Sequence, residues 1–113
     1  ELAIRPRMIR VVAQNLAENA IRYAGPGATF TLAIERVGDA VVLRGTDDGV
    51  GVEEAQLGRL FERFFRADRA RASRGTGLGL AIVKHVVTQA GGTVEALGGL
   101  GAGLEIRCTF PAA

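Results

Sequence analysis

Apolar and polar positions over residues 6–24 (PRMIRVVAQNLAENAIRYA) repeat with a helical period. At about 100° per residue, Met8, Ile9, Val12, Leu16 and Ala20 share one arc, while Arg7, Gln14 and Glu18 fall on the opposite one. Pro6 suits the first turn, the interior holds no Gly or Pro, and Gly25-Pro26-Gly27 ends the helix. From Thr29 the period switches to two, with Phe30, Leu32 and Ile34 alternating against Thr29, Thr31 and Ala33. Gly38-Asp39 signals a turn, and Ala40 to Asp47 reads as a second strand with Val41 and Leu43 on one face. The hairpin stops at Asp47-Asp48-Gly49-Val50-Gly51.

Glu53 to Phe65 predicts a short helix with acids in its first turn. Arg66 to Gly79 is polar and arginine-rich and reads as a mobile loop. Leu80 to Ala90 is helical in pattern and ends at Gly91-Gly92. Thr93 to Leu97 and Leu104 to Phe110 read as strands, the latter turning Leu104, Ile106, Cys108 and Phe110 inward, with a glycine-rich turn over 98–103. The order predicts an α+β fold: a two-layer α/β sandwich whose mixed, mostly antiparallel sheet is covered on one face by helices. With neither repeat nor linker, residues 1–113 read as a single domain.

Composition narrows the class. Glycine makes up 16 of 113 residues, yet only 3 prolines accompany it and 48% of the chain is apolar, so collagen-like and disordered readings are excluded. No apolar run reaches the ~20 residues of a membrane helix, and no targeting pattern opens the chain. The lone Cys108, with no Cys/His pairs, excludes a disulfide scaffold or zinc site. The net charge is +2, but between Arg59 and Arg74 six arginines face only Glu62 and Asp68. Such a cluster suits a phosphate-bearing partner or a solvated basic surface.

Three places can carry chemistry. On the first helix Asn15, Asn19 and Tyr23, spaced four apart, fall on or beside the apolar arc. Either the asparagines bond backbone carbonyls in the core, or they line a polar pocket. In a pocket, Asn19 offers its carbonyl oxygen to a hard cation, with Asn15 nearby and Arg22 reaching the same ligand. Asp47, at a strand end, can accept a hydrogen bond from an exocyclic amine, and Gly49 and Gly51 leave no side chain to block a planar ring. Adenine offers that amine, whereas guanine meets the carboxylate acceptor to acceptor. Asp-Gly pairs also simply mark turns. Gly75-Thr76-Gly77-Leu78-Gly79 precedes a helix and is either a hinge or a cradle of backbone N–H groups for an anion. Its spacing matches neither a Walker loop nor a dinucleotide fingerprint.

Taken together, these segments resemble the ATP-binding catalytic domain of sensor histidine kinases, in the gyrase/chaperone/histidine-kinase/mismatch-repair ATPase superfamily with its Bergerat-type fold. Asn15 to Tyr23 looks like the N box, Asp47 to Gly51 the G1 box, Phe61 to Arg66 the F box, and Gly75 to Lys84 the G2 box. The resemblance implies ATP and Mg²⁺ as cofactors, with Asn19 on the metal and Asn15 near the phosphates. It places Arg22 on a phosphate, Tyr23 against the adenine and Asp47 on the adenine amine. Gly49 and Gly51 complete the adenine turn. Gly75, Thr76, Gly77, Leu78 and Gly79 form the phosphate cradle, and Arg66 and Arg71 reach the terminal phosphates across a lid of roughly 66–76. Phe61, Phe64 and Phe65 anchor that lid or belong to the core. The chain departs from the family pattern at Gly45, where Val is usual and whose loss is expected to thin the strand wall near the adenine, at Arg74, often Gly, and at Leu104, often Ser or Thr.

Hydrolases of this superfamily place a general-base Glu four residues before the metal-binding Asn. Here that position is Asn15, which cannot take a proton from water. Phosphoryl transfer to a separate nucleophile is therefore preferred over rapid hydrolysis. The only histidine, His85, lies in the helix after the G2 box and reads as an ordinary helical residue. The resembling kinases carry their acceptor histidine on a preceding dimerisation domain, so the chain reads as a catalytic fragment that binds ATP without autophosphorylating. The expected partners are that domain and, through it, a response regulator. The expected parent is a homodimer in the bacterial inner membrane, with this domain on the cytoplasmic side and monomeric when isolated. An anti-sigma-type serine kinase has the same fold. A nucleic-acid module is disfavoured because the basic stretch lacks interleaved aromatic platforms.

Overall fold

The computed structural model describes residues 6–25, 27–62 and 79–111. Helix α1 (Pro6–Tyr23) is followed by strands β1 (Phe30–Val37) and β2 (Ala40–Asp47), then by a 3-10 helix (Glu54–Arg59). Helix α2 (Gly79–Gln89) and strands β3 (Thr93–Gly98) and β4 (Leu104–Phe110) complete the described elements. The four strands form one sheet in the order β1-β2-β4-β3. All three pairings are antiparallel, so the mixed character expected of the sheet is not seen among the described strands.

One face of the sheet meets both helices. Val12, Leu16, Leu43, Leu80, Val83, Val87, Ile106, Cys108 and Phe110 are buried there, each from a position that its element's period turns inward. β4 alternates without a break, its intervening positions Glu105, Arg107 and Thr109 lying half-buried on the other face. On that face Arg44 and Arg107 stand directly opposite one another. Glu35 pairs with Arg44, and Glu105 accepts from Arg107 at 2.8 Å, so the like charges are offset.

Three expectations need correction. The segment from Glu53 to Phe65 does not start as an α-helix; a six-residue 3-10 helix ends at Arg59, and residues from 63 onward lie outside the described residues. It has no side-chain N-cap and contains Gly58, too little to nucleate an α-helix, and it lies against β3 with Leu57, Leu60 and Phe61 packed on the core. Second, the alternation of β1 in sequence is not matched by its burial: Leu32 and Ile34 remain 43% and 61% exposed because the helices leave this edge strand largely uncovered. Third, Gly45 does not thin the sheet. The Phe30 ring reaches diagonally across, with Cε1 and Cζ 3.1 Å from where a Cβ on Gly45 would stand. Leu16 Cδ1 closes the same space from α1 at 3.2 Å.

Candidate nucleotide site

Asp47 is the last residue of β2 and the one buried charged side chain among the described residues, 8% exposed. Its position is forced: it lies on the core face with Leu43 and Gly45, at the point where the strand leaves the sheet. Oδ1 accepts the Gly49 N–H at 2.8 Å, a local turn that points the carboxylate back over the chain. No other protein donor reaches the carboxylate among the described residues. A buried carboxylate oxygen left in this way is a strong acceptor awaiting a partner.

The loop behind Asp47 is pinned on every side. Asp48 Oδ1 accepts from the Thr29 N–H at 2.6 Å, and its own N–H donates to Thr29 O at 3.3 Å. Val50 N–H donates to Ala24 O, and Gly101 N–H to Val50 O, both at 2.9 Å. Here the glycines acquire a reason different from the one their sequence suggests. A Cβ on Gly49 would overlap the Ala24 carbonyl oxygen, and one on Gly51 the Gly99 oxygen. Gly51 also has φ +73, and a Cβ on Gly103 would overlap Asp47 O. Backbone, not a ligand ring, occupies the space these side chains would take. The turn over 98–103, read from sequence only as a connection, is thus the buttress of the Asp47 loop.

Of the asparagines, Asn15 follows the reading in which the amide bonds a backbone carbonyl. Its Nδ2 donates to Val11 O at 2.9 Å, a bond to its own helix backbone. Its Oδ1 lies 3.5 Å from where a Cβ on Gly79 would be, which brings the α1 stripe to the first residue of α2. The first turn of an α-helix has N–H groups without intrahelical partners and the positive end of the helix dipole, which favours an anion at such a junction. Asn19, one turn further along α1, is half-buried and has no side-chain hydrogen bond among the described residues. Arg22 and Tyr23 are in the last turn of α1, but their side chains lie outside the described residues, as do Arg66, Arg71, Gly75, Thr76, Gly77 and Leu78.

Sequence reading missed three contributors. Ala24 supplies the carbonyl that seats Gly49 and Val50, Asp48 ties the loop to β1, and Phe30 stands directly opposite Asp47 in the β1–β2 register. Only Phe30 left a trace in the sequence, as an aromatic beside a strand glycine.

The sequence and the fold have counterparts. Residues 4–113 match the family model described as "Histidine kinase-, DNA gyrase B-, and HSP90-like ATPase". The chain belongs to this ATPase family. SenX3 of Mycobacterium tuberculosis (strain H37Rv), a sensor-like histidine kinase, is 41% identical over 100 residues, covering 87% of this chain and 24% of its own. The chain thus spans about a quarter of the length of the first curated relatives it matches. Among solved structures, the mycobacterial sensor histidine kinase MprB superposes with a TM-score of 0.83 at 31% identity, covering 93% of this chain and 72% of that one. Full-length ShkA in complex with AMPPNP gives a TM-score of 0.80 at 31% identity, covering 94% of this chain and 22% of that one. ATP is the ligand that membership of this ATPase family supports. Among the described residues no helix is long and apolar enough to cross a membrane.

Proposed function

We propose that the chain is the ATP-binding module of a sensor histidine kinase. It holds Mg-ATP and presents the γ-phosphate to a histidine carried on a separate dimerisation domain of the parent protein. The observation that carries this reading is Asp47: a buried carboxylate with one oxygen held by Gly49 and the other without a donor among the described residues. An adenine 6-amino group supplies the missing donor. That ShkA was solved in complex with AMPPNP supports a nucleotide ligand, and the relation to SenX3 supports the kinase parent.

Asn19 offers the metal a neutral oxygen from a half-buried amide with no competing bond among the described residues. Mg²⁺ takes such an oxygen and completes its octahedral shell with phosphate and water. Asn15 lies between that amide and the N-terminus of α2, where the phosphates gain backbone N–H donors. Arg22, Tyr23, Arg66, Arg71, Gly75, Thr76, Gly77 and Leu78 are assigned to the phosphates, the adenine and the lid by family resemblance. Asn15 cannot act as a general base, and its Nδ2 is already committed to Val11 O. The module positions the phosphate and leaves attack to an incoming histidine. In the parent we place this module on the cytoplasmic side of a membrane-bound homodimer that passes phosphate to a response regulator.

Calorimetric titration with AMPPNP, with and without Mg²⁺, tests the first half. Binding that is unaffected by Asp47→Ala sinks the adenine assignment. A histidine-bearing dimerisation domain supplied with labelled ATP and this chain tests the second half. Label that stays off histidine, or appears on serine instead, would favour the anti-sigma-type alternative.

A further inference from the structure

The two edges of the sheet are built differently. β3 has six residues, ends at Gly98 and is contacted by the 3-10 helix. β1 has eight residues in unbroken register with β2, without a bulge or a proline. Bulges, proline, clustered charge or a covering element are what keep a sheet edge from pairing. β1 carries only Glu35 and Arg36, of opposite sign, and among the described residues no strand pairs with its outer edge. The two-residue Gly38-Asp39 turn closes on the Val37–Ala40 pair, so the odd-numbered residues of β1 hydrogen-bond to β2. Phe30, Leu32, Ile34 and Arg36 therefore turn their N–H and C=O groups outward. Leu32 and Ile34 stand opposite Gly45 and Leu43, on the helix face, yet remain largely exposed. An open row of backbone donors and acceptors and an open apolar strip thus share one edge.

We propose that this edge pairs with the same edge of a second copy of the chain, β1 antiparallel to β1 about a twofold axis at Ala33. That register sets Leu32 opposite the partner's Ile34, and Ile34 opposite the partner's Leu32. All four residues have outward backbone groups, so both pairs are hydrogen-bonded. Thr31 meets the partner's Glu35, and Arg36 meets the ring of the partner's Phe30, so no like charges face each other. An axis at Leu32 would confine the ladder to residues 30–34, and one at Ile34 would set Leu32 against Arg36. The twofold keeps the helices of both copies on one side of a continuous sheet, where the apolar strips shelter one another. One strand from each copy makes a small interface, so the pairing is weak between free chains and departs from the monomer expected of the isolated chain. In the homodimeric parent proposed above, two copies are held at high local concentration, where a weak contact is populated. That consequence rests on the proposed parent, whereas the pairing rests on β1 alone.

Sedimentation equilibrium of the 113-residue chain from about 10 µM to about 1 mM tests the pairing. The average mass should climb from one chain towards two and stop there. The L32E/I34E variant should associate at least about tenfold more weakly, because its carboxylates would be buried in the strip, while its melting temperature and AMPPNP affinity stay near wild type. Mixing it with L32K/I34K should restore the two-chain species, since each Glu then meets a Lys. Across a non-hydrogen-bonded pair the Cα atoms lie about 4.5 Å apart, within disulfide reach. Mild oxidation should therefore link A33C chains and not T31C chains; Cys108 is fully buried and does not compete. A mass that stays at one chain, no restoration on mixing, or equal linking of A33C and T31C would each overturn the proposal. A mass that grows past two chains would overturn it in favour of open-ended association. None of these outcomes bears on the ATP reading.

Discussion

The Gly49 backbone rests directly on Ala24, the residue after the last turn of α1. A Cβ at position 49 would overlap the Ala24 carbonyl oxygen and stand 2.6 Å from the Ala24 Cβ. The same carbonyl accepts the Val50 N–H at 2.9 Å, so there is no room to yield without breaking that bond. Gly49→Ala should therefore destabilise the chain by at least ~2 kcal/mol, well above a surface substitution. Thermal or urea melts check this. A Gly49→Ala variant as stable as wild type would show that the loop has slack.

Asp47 separates binding from folding. Asp47→Asn preserves shape and the acceptor for the Gly49 N–H, but its amide now also offers donors. Adenine nucleotide affinity should fall by about tenfold or more while the melting temperature changes little. Asp47→Ala should lose comparable affinity and also some stability, because the turn to Gly49 goes with it. Parallel titrations and melts of the two variants distinguish these losses.

Asn19 is expected to matter only when the metal is present. In Asn19→Ala the gain in nucleotide affinity on adding Mg²⁺ should shrink several-fold, with metal-free binding near wild type. Asn15→Ala should behave differently: it removes a bond to Val11 O on the same helix, worth about 1 kcal/mol of stability, in addition to any effect on binding. A full Mg²⁺ response in Asn19→Ala would move the metal to another residue.

Cys108 lies in the centre of β4 and is fully buried, and burial pushes its thiol up to about 12. The folded state therefore holds a proton that the unfolded chain releases at ordinary thiol values. The stabilisation is complete below pH 9 and declines as pH rises from 9 towards 12. Two outcomes follow: negligible reaction with thiol reagents in the native protein at neutral pH, and a steeper alkaline loss of stability in wild type than in Cys108→Ala. Rapid native labelling would contradict the burial.

Local pattern carried much of the fold. β2 and β4 run over the residues that their alternation marked, and α1 ends within one residue of its expected limit, because each has a face that water must not reach. The 3-10 segment escaped because acids followed by apolar residues look alike for any helix too short to have a register. Strand order was not legible either: β4 enters between β2 and β3, a choice made by packing across the whole sheet. At the site, Asn15, Asn19 and Asp47 declared themselves as polar residues at positions meant for the core. The packing that requires glycine at 49, 51 and 103 was not legible, since what excludes their side chains lies 25 to 56 residues away in sequence. That Phe30 and Leu104 stand opposite Asp47 was not legible, because cross-strand register is set by the whole sheet.

The chain of bonds from Ala24 through Val50 to Gly101, with Asp48 clasping Thr29, joins the end of α1, the mouth of β2 and the β3–β4 turn. Segments so joined share one opening event. The amides of Val50, Asp48 and Gly101 should exchange with solvent deuterium at a common slow rate, and should slow further together when nucleotide binds. On the adenine reading, the end that meets the base is then a fixed jaw, and nucleotide binding should leave its backbone in place.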